Sequence, residues 1–209
     1  MSDAVADLLA GEGTVTLVAV APDGTVEARE PGVAAEGAVL SGSFNPLHEG
    51  HLSLAAAVEA LHGLAVSFEL SVTNVDKPPL EESEVRRRIE QFRGASAGGQ
   101  DILLTRAPTF VEKARLLPGQ AFIVGWDTAV RLVAPRYYEG DSPQAMVAAL
   151  AEMQALGCRV LVAGRAHEGE FRTLAEIDLP PAVAGLFEAI SEAAFRADIS
   201  STDLRGAGR

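Results

Sequence analysis

Two histidines three residues apart, His48 and His51 in the stretch GSFNPLHEGH, have the type and spacing that most directly suggest chemistry. At helical spacing two such imidazoles share one face, and each offers an N–H donor whether neutral or protonated. A mostly apolar run, AVLSGSF, enters the stretch, and an alanine-rich, helix-forming run leaves it. That order predicts a strand, a loop and a helix start. Helix N-termini carry unpaired N–H groups and partial positive charge, so this one is a natural seat for phosphate. Gly50, between the histidines, lets the backbone approach a ligand with no side chain in the way. Glu49 reads most simply as a first-turn acid favoured by the helix dipole. The plainer alternative is a helix-start histidine pair satisfied by local backbone. A metal site is disfavoured, because the pattern is not His-Glu-x-x-His and neither His62 nor His167 has ligand spacing.

Two further stretches could hold anions or hydroxyls. In DISSTDLR, Ser200, Ser201 and Thr202 offer hydroxyls and backbone N–H groups at an expected helix start, with Arg205 one turn later. Taken alone that pattern is often no more than an N-cap. In FIVGWDTAVRL, Gly125 ends a strand and Asp127 begins a helix. An aspartate there can accept hydrogen bonds from a ribose or cap the helix, and capping is the reading favoured for Asp127 in isolation.

These stretches need a frame that brings them together. From Gly37 onward strand-like and helix-like segments alternate: AVLSGS, GHLSLAAAVEALHG, AVSFELSVT, EVRRRIEQF, DILLTR, TFVEKARLL, AFIVG and DTAVRLV. Helical stretches around PQAMVAALAEMQALG and PPAVAGLFEAISEAA bracket the strand CRVLVAG. Repeated βα units of this size predict an α/β fold, a parallel sheet with helices on both faces. Ligands of such sheets collect beyond the carboxyl ends of the strands, near a switch in strand order, and the three stretches fall at that edge. Residues 1–36 read differently, as a short helix (DAVADLLAG) followed by a probable β-hairpin, TVTLVAV and TVEAR around APDG. The expected division is an accessory extension over 1–36 and a main domain over 37–209.

At 209 residues, 48% of them hydrophobic, the chain can bury a full core without staples. The formal net charge of −12 leaves no broad basic footprint, which argues against nucleic acid as a partner. An anionic small molecule must then be held by local cations and helix ends against the global field. The run Arg86–Arg88 after LEESEV reads as a solvated, charge-paired helix face. The single cysteine, Cys158, excludes an intramolecular disulfide and reads as a buried strand residue. With no long charge-free apolar run and no basic, signal-like start, the expectation is a cytoplasmic protein that does not enter a membrane.

Together, GSFNPLHEGH, GWD and ISSTDLR, in that order across roughly residues 38–205, resemble the nucleotidyltransferase superfamily bearing the His-x-Gly-His signature. Within it the chain is most similar to the nicotinate/nicotinamide mononucleotide adenylyltransferases. The resemblance implies a Rossmann-like sheet and transfer of AMP from ATP to the 5′-phosphate of a pyridine mononucleotide, with release of pyrophosphate. It implies that His48 and His51 bind the triphosphate, and that Gly42, Ser43 and Phe44 line the nucleotide cleft through their backbone. Gly125 and Asp127 would hold the ribose region, and Ser200, Ser201, Thr202 and Arg205 the departing phosphates. Lys77 in NVDKPP is a further phosphate candidate, although a solvated loop lysine is as good a reading. Thr105 and Arg106 end a strand at the right edge to meet the acceptor. Trp126, Tyr137 and Tyr138 could stack on a flat ring, with core packing the better reading of each alone. Mg²⁺ would be held mainly by the substrate phosphates, with no metal ligands from the protein. Arg205 stands four residues from Arg209, short of the helix that follows this motif in relatives, which the resemblance sets against full catalytic strength. Cytidylyl transfer, adenylyl transfer to another phosphorylated acceptor, and a catalytically weak nucleotide-binding protein stay open beside the favoured reading.

Overall fold

A computed structural model describes residues 3–11, 13–73, 78–94, 99–167 and 170–196. The elements in chain order are α1 (Ala4–Ala10), β1 (Leu17–Val20), β2 (Val26–Ala28), β3 (Gly37–Ser41), α2 (Glu49–His62), β4 (Val66–Ser71), α3 (Glu82–Gly94) and β5 (Ile102–Thr105). They continue as α4 (Phe110–Leu116), β6 (Gln120–Gly125), α5 (Trp126–Leu132), α6 (Pro143–Ala155), β7 (Arg159–Ala163), β8 (Arg165–His167), β9 (Glu170–Arg172) and β10 (Phe187–Ile190). Eight strands form one sheet in the order β10-β7-β6-β3-β4-β5-β1-β2, with β8 and β9 as a separate hairpin. The six strands from β10 across to β5 run parallel. The β1–β2 hairpin adds to β5 antiparallel.

The chain runs outward from β3 through β4 and β5, then crosses back to β6 on the other side of β3. The carboxyl ends of β3 and β6 therefore flank the switch point, where a Rossmann-like sheet opens a crevice. Strand alternation loads both faces. Leu40, Phe68, Leu104 and Ile123 pack beneath α2 and α3, while Val39, Leu103, Phe122 and Val160 pack against α4 and α6. In β1, Val18 and Val20 join the first core and Leu17 and Ala19 the second, so the N-terminal hairpin is a true edge extension of the main sheet. Helix ends follow their sequence signals. Gly63 stops α2 at φ 66°, and Thr109 with Glu112 starts α4 in a capping box.

The stretch PPAVAGLFEAISEAA departs from the helix expected of it. It forms a 3₁₀ turn over Pro181–Leu186 and then β10, parallel to β7. Pro180 and Pro181 cannot donate to a helical ladder and Gly185 weakens its interior, whereas the edge of β7 offers a full set of partners. Phe187 and Ile190 then reach the two opposite cores. The β8–β9 hairpin is an element the sequence reading lacks. Arg86 and Arg87 are solvated and acid-paired as expected, but Arg88 is only 8% exposed and turns inward. Cys158 is buried one residue before β7, and burial raises its thiol pKa. No described helix is long and apolar enough to cross a membrane.

Candidate active site at the switch point

The loop between β3 and α2 is built around one aromatic ring. Phe44, at φ 45°, is fully buried and meets His51, Phe68 and Phe92 edge-on at centroid distances of 5.1, 5.5 and 5.3 Å. Its ring lies against Gly42, where an added Cβ would sit 2.8 Å from Cε1, so position 42 has room for glycine alone. The loop is held from α3 as well. Gln91 donates to the Phe44 carbonyl (3.0 Å) and accepts from the Leu47 amide (2.9 Å), and Arg88 donates to the Ser43 carbonyl (2.8 Å). Gly42 and Ser43 border a polar cleft at the strand ends. The Phe44 ring is the loop's buried anchor.

That anchor places the histidines. His48 is the N-cap of α2, Gly50 lies in its first turn, and His51 stands at the third position. The two rings stack at 3.8 Å with 28° between their planes. The His48 amide donates to His51 Nδ1 at 3.3 Å. A nitrogen that accepts cannot carry the proton of a neutral ring, so the proton of His51 resides on Nε2. Burial, and then the neighbouring His48, depress the His51 pKa to about 4, and burial also lowers that of His48. Both rings are neutral at pH 7, and His51 presents a fixed Nε2–H donor at a helix N-terminus.

Beyond the strand ends lies a polar cleft of about 420 Å³, bounded by Ser41, Gly42, Ser43, Ser71, Thr73 and neighbouring side chains. Its described lining contains three cations, Arg88, Lys113 and Arg131, and no aspartate or glutamate. In a chain of net charge −12 this is a local reversal of sign. Arg88 is compensated by Glu84 (2.7 Å), whose carboxyl is held down to about 2 by hydrogen bonds from Arg87 and Arg88. Lys113 donates to Glu69 Oε2 (2.6 Å), and Thr105 donates to Oε1 (2.6 Å). Glu69 is completely buried beneath the floor. Beside the cleft, and sharing Pro108, Phe110, Thr128 and Arg131 with it, is an apolar chamber of about 250 Å³ that includes Tyr137, Tyr138 and Met153.

The remaining expectations divide by position. Tyr137 and Tyr138 line the chamber, with the Tyr138 hydroxyl donating to the Leu132 carbonyl (2.6 Å) and its pKa raised to about 12 by burial. Trp126 opens α5 half-buried and lines neither cavity. Gly125, not Asp127, is the N-cap of α5, because the chain leaves β6 directly into the helix. Asp127 sits in the first turn, paired with Arg165 of β8. Thr105 is sealed under the floor by its bond to Glu69. Arg106 turns away from the cleft, donating to the carbonyls of Leu8 (3.1 Å) and Leu9 (2.9 Å) at the end of α1. Lys77, Ser200, Ser201, Thr202 and Arg205 lie outside the described residues. Sequence reasoning passed over Glu69, Lys113 and Arg131. The one signal available for the first was a lone acid in the otherwise strand-like SFELS.

Comparison with known proteins agrees with the α/β fold. A model of the family described as cytidylyltransferase-like matches residues 39–207. The chain is also similar to a Schizosaccharomyces pombe protein provisionally named a nicotinamide mononucleotide adenylyltransferase. The two are 29% identical over 115 residues, which cover 51% of this chain and 45% of that relative.

Proposed function

The chain belongs to the cytidylyltransferase-like family, and on that premise we propose that it transfers AMP from ATP to the 5′-phosphate of nicotinate or nicotinamide mononucleotide, releasing pyrophosphate. The observation that carries this reading is the neutral, stacked histidine pair at the start of α2, beside the switch point of the sheet. Adenylyl rather than cytidylyl transfer, and a pyridine mononucleotide as acceptor, are favoured by the resemblance and by the name of the fission-yeast relative.

The acceptor's 5′-phosphate oxygen attacks the α-phosphorus of ATP in line, forming one P–O bond as the bond to pyrophosphate breaks. A phosphate monoester is largely dianionic at pH 7, so the nucleophile needs no general base. The protein's task is to align two anions and neutralise charge on the transferring group. His51 Nε2–H donates to that group without bringing a proton that could be lost, because its ring is neutral. One such preorganised donor is worth about 3–4 kcal/mol of barrier. Gly42 and Ser43 offer backbone to the nucleotide, and Ser200, Ser201, Thr202 and Arg205 take the departing phosphates. The cationic cleft receives the acceptor's phosphate and the tyrosine-lined chamber its flat ring. Mg²⁺ would enter on the substrate's phosphate oxygens and water, where it would offset negative charge.

The test is pyrophosphate release by the purified protein with Mg²⁺ and either ATP or CTP, with and without each mononucleotide. Release that needs both ATP and a pyridine mononucleotide is expected. Release with CTP alone would move the assignment to cytidylyl transfer, and ATP binding without release from any mixture would refute the proposal.

A further inference from the structure

Arg131 is the one described arginine whose side chain makes no hydrogen bond to another described residue. Each of the others donates at least one. It stands one turn after Thr128 on α5, and both residues line the polar cleft and the apolar chamber alike. The other two cations of the cleft are already neutralised by Glu84 and Glu69. No acidic residue borders either cavity among the described residues, so at the seam between them one positive charge has no counter-charge from a described lining residue.

A ligand that fits such a seam has an apolar, flat part bearing an anionic substituent. We propose that Arg131 is a specificity-determining residue that selects nicotinate over nicotinamide mononucleotide; this rests on the acceptor class proposed above. Both acceptors carry a pyridinium cation and the same ribose phosphate, and they differ in the ring substituent. The nicotinate carboxylate makes its ring neutral overall and can accept the guanidinium as a paired, charge-assisted acceptor. The nicotinamide ring keeps a net positive charge beside Arg131 and offers one neutral carbonyl. Attraction in one case and repulsion in the other both favour nicotinate. Because Arg131 is exposed, screening holds the preference to about tenfold.

The experiment compares the two acceptors on the wild type, Arg131→Gln and Arg131→Lys, by kcat/KM for pyrophosphate release and by calorimetric binding of each mononucleotide. A wild-type ratio near ten in favour of nicotinate, falling toward one in Arg131→Gln and largely kept in Arg131→Lys, is the expected result. An unchanged ratio in Arg131→Gln overturns the proposal, because Arg131 then reads the shared phosphate or nothing. A wild type that is indifferent or prefers nicotinamide overturns it too. Calorimetry separates this inference from the reaction. Preferential, Arg131-dependent binding without pyrophosphate release would refute the transfer and keep the selectivity, whereas binding of neither acceptor would refute both.

Discussion

The two walls of the switch point, the start of α2 and the α4–α5 side of the polar cleft, solve the same electrostatic problem in different ways. On the α2 side, whose histidines line neither cavity, the groups are neutral: two stacked imidazoles, desolvated and oriented by each other and by Phe44. On the α4–α5 side they are charged: Lys113 is anchored to the buried Glu69, and Arg131 has no described partner. A neutral donor fixed by packing costs far less to desolvate than a cation does. A cation must be compensated when buried and can stay uncompensated only where solvent reaches it. Chemistry therefore suits the first wall and recruitment and selection the second.

The largest effect expected tests the charged wall. Removing one member of the buried pair, Lys113→Met or Glu69→Gln, leaves its partner without the counter-charge and should cost about 3–5 kcal/mol of stability. The double variant Glu69→Leu with Lys113→Met should recover most of that loss, because a buried pair and an apolar pair of similar volume are often close in energy. Urea midpoints of the four proteins measure this. A Lys113→Met protein within 1 kcal/mol of wild type, on the order of a surface pair, would mean that the cation of the charged wall is not desolvated as described.

Next comes a pH dependence peculiar to the neutral wall. His51 titrates near 4 when folded, against 6.5 as its ordinary value. Between those values the unfolded chain binds the proton and the folded one does not, so stability rises with pH across the window. The contribution is complete above pH 6.5, is lost as the pH falls toward 4, and amounts to about 3 kcal/mol in all. Comparing wild type with His51→Ala from pH 7 to 4 isolates it, since the carboxylates are common to both. Parallel curves would show that His51 is not desolvated. The same variant should lower turnover by about a hundredfold while its near-ultraviolet spectrum stays native, since it lacks the Nε2–H donor. Near-normal turnover would move the chemistry off the neutral wall.

The same division explains what could be read from sequence. The histidine wall is contiguous: Gly42, Ser43, His48, Gly50 and His51 lie within ten residues, so their spacing exposes both the turn and the helix start. The charged wall is assembled from β4, β5, α4 and α5, and Glu69 reaches Lys113 across 44 positions. No local period records such a pair; only the sheet order and the docking of α4 create it. For the same reason Arg106, adjacent to Thr105 at a strand end, looked like an acceptor contact until α1 folded back to take its guanidinium. The core strands β3 to β7 were legible because their apolar runs are complete in themselves. The strand β10 was hidden, because LFEAI depends on the edge of β7 for its state.

Asp127, in the first turn of α5, should show the smallest effect on stability. Its pair with Arg165 is about a third exposed on both sides, so Asp127→Asn should cost less than about 1 kcal/mol, as solvated pairs do. If the carboxylate serves the fold alone, the KM for ATP should move no more than stability does, within about twofold. If it accepts ribose hydroxyls in the bound state, exchanging Arg165 for the nucleotide, that KM should rise by about tenfold or more with kcat little changed, since ground state and transition state share the contact. The resemblance assigns the second role, while the position of Asp127 past the N-cap and its pairing with Arg165 account for the residue without a ligand. Steady-state kinetics on this single variant therefore decide whether the α5 start belongs to the nucleotide or only holds β8 to the sheet.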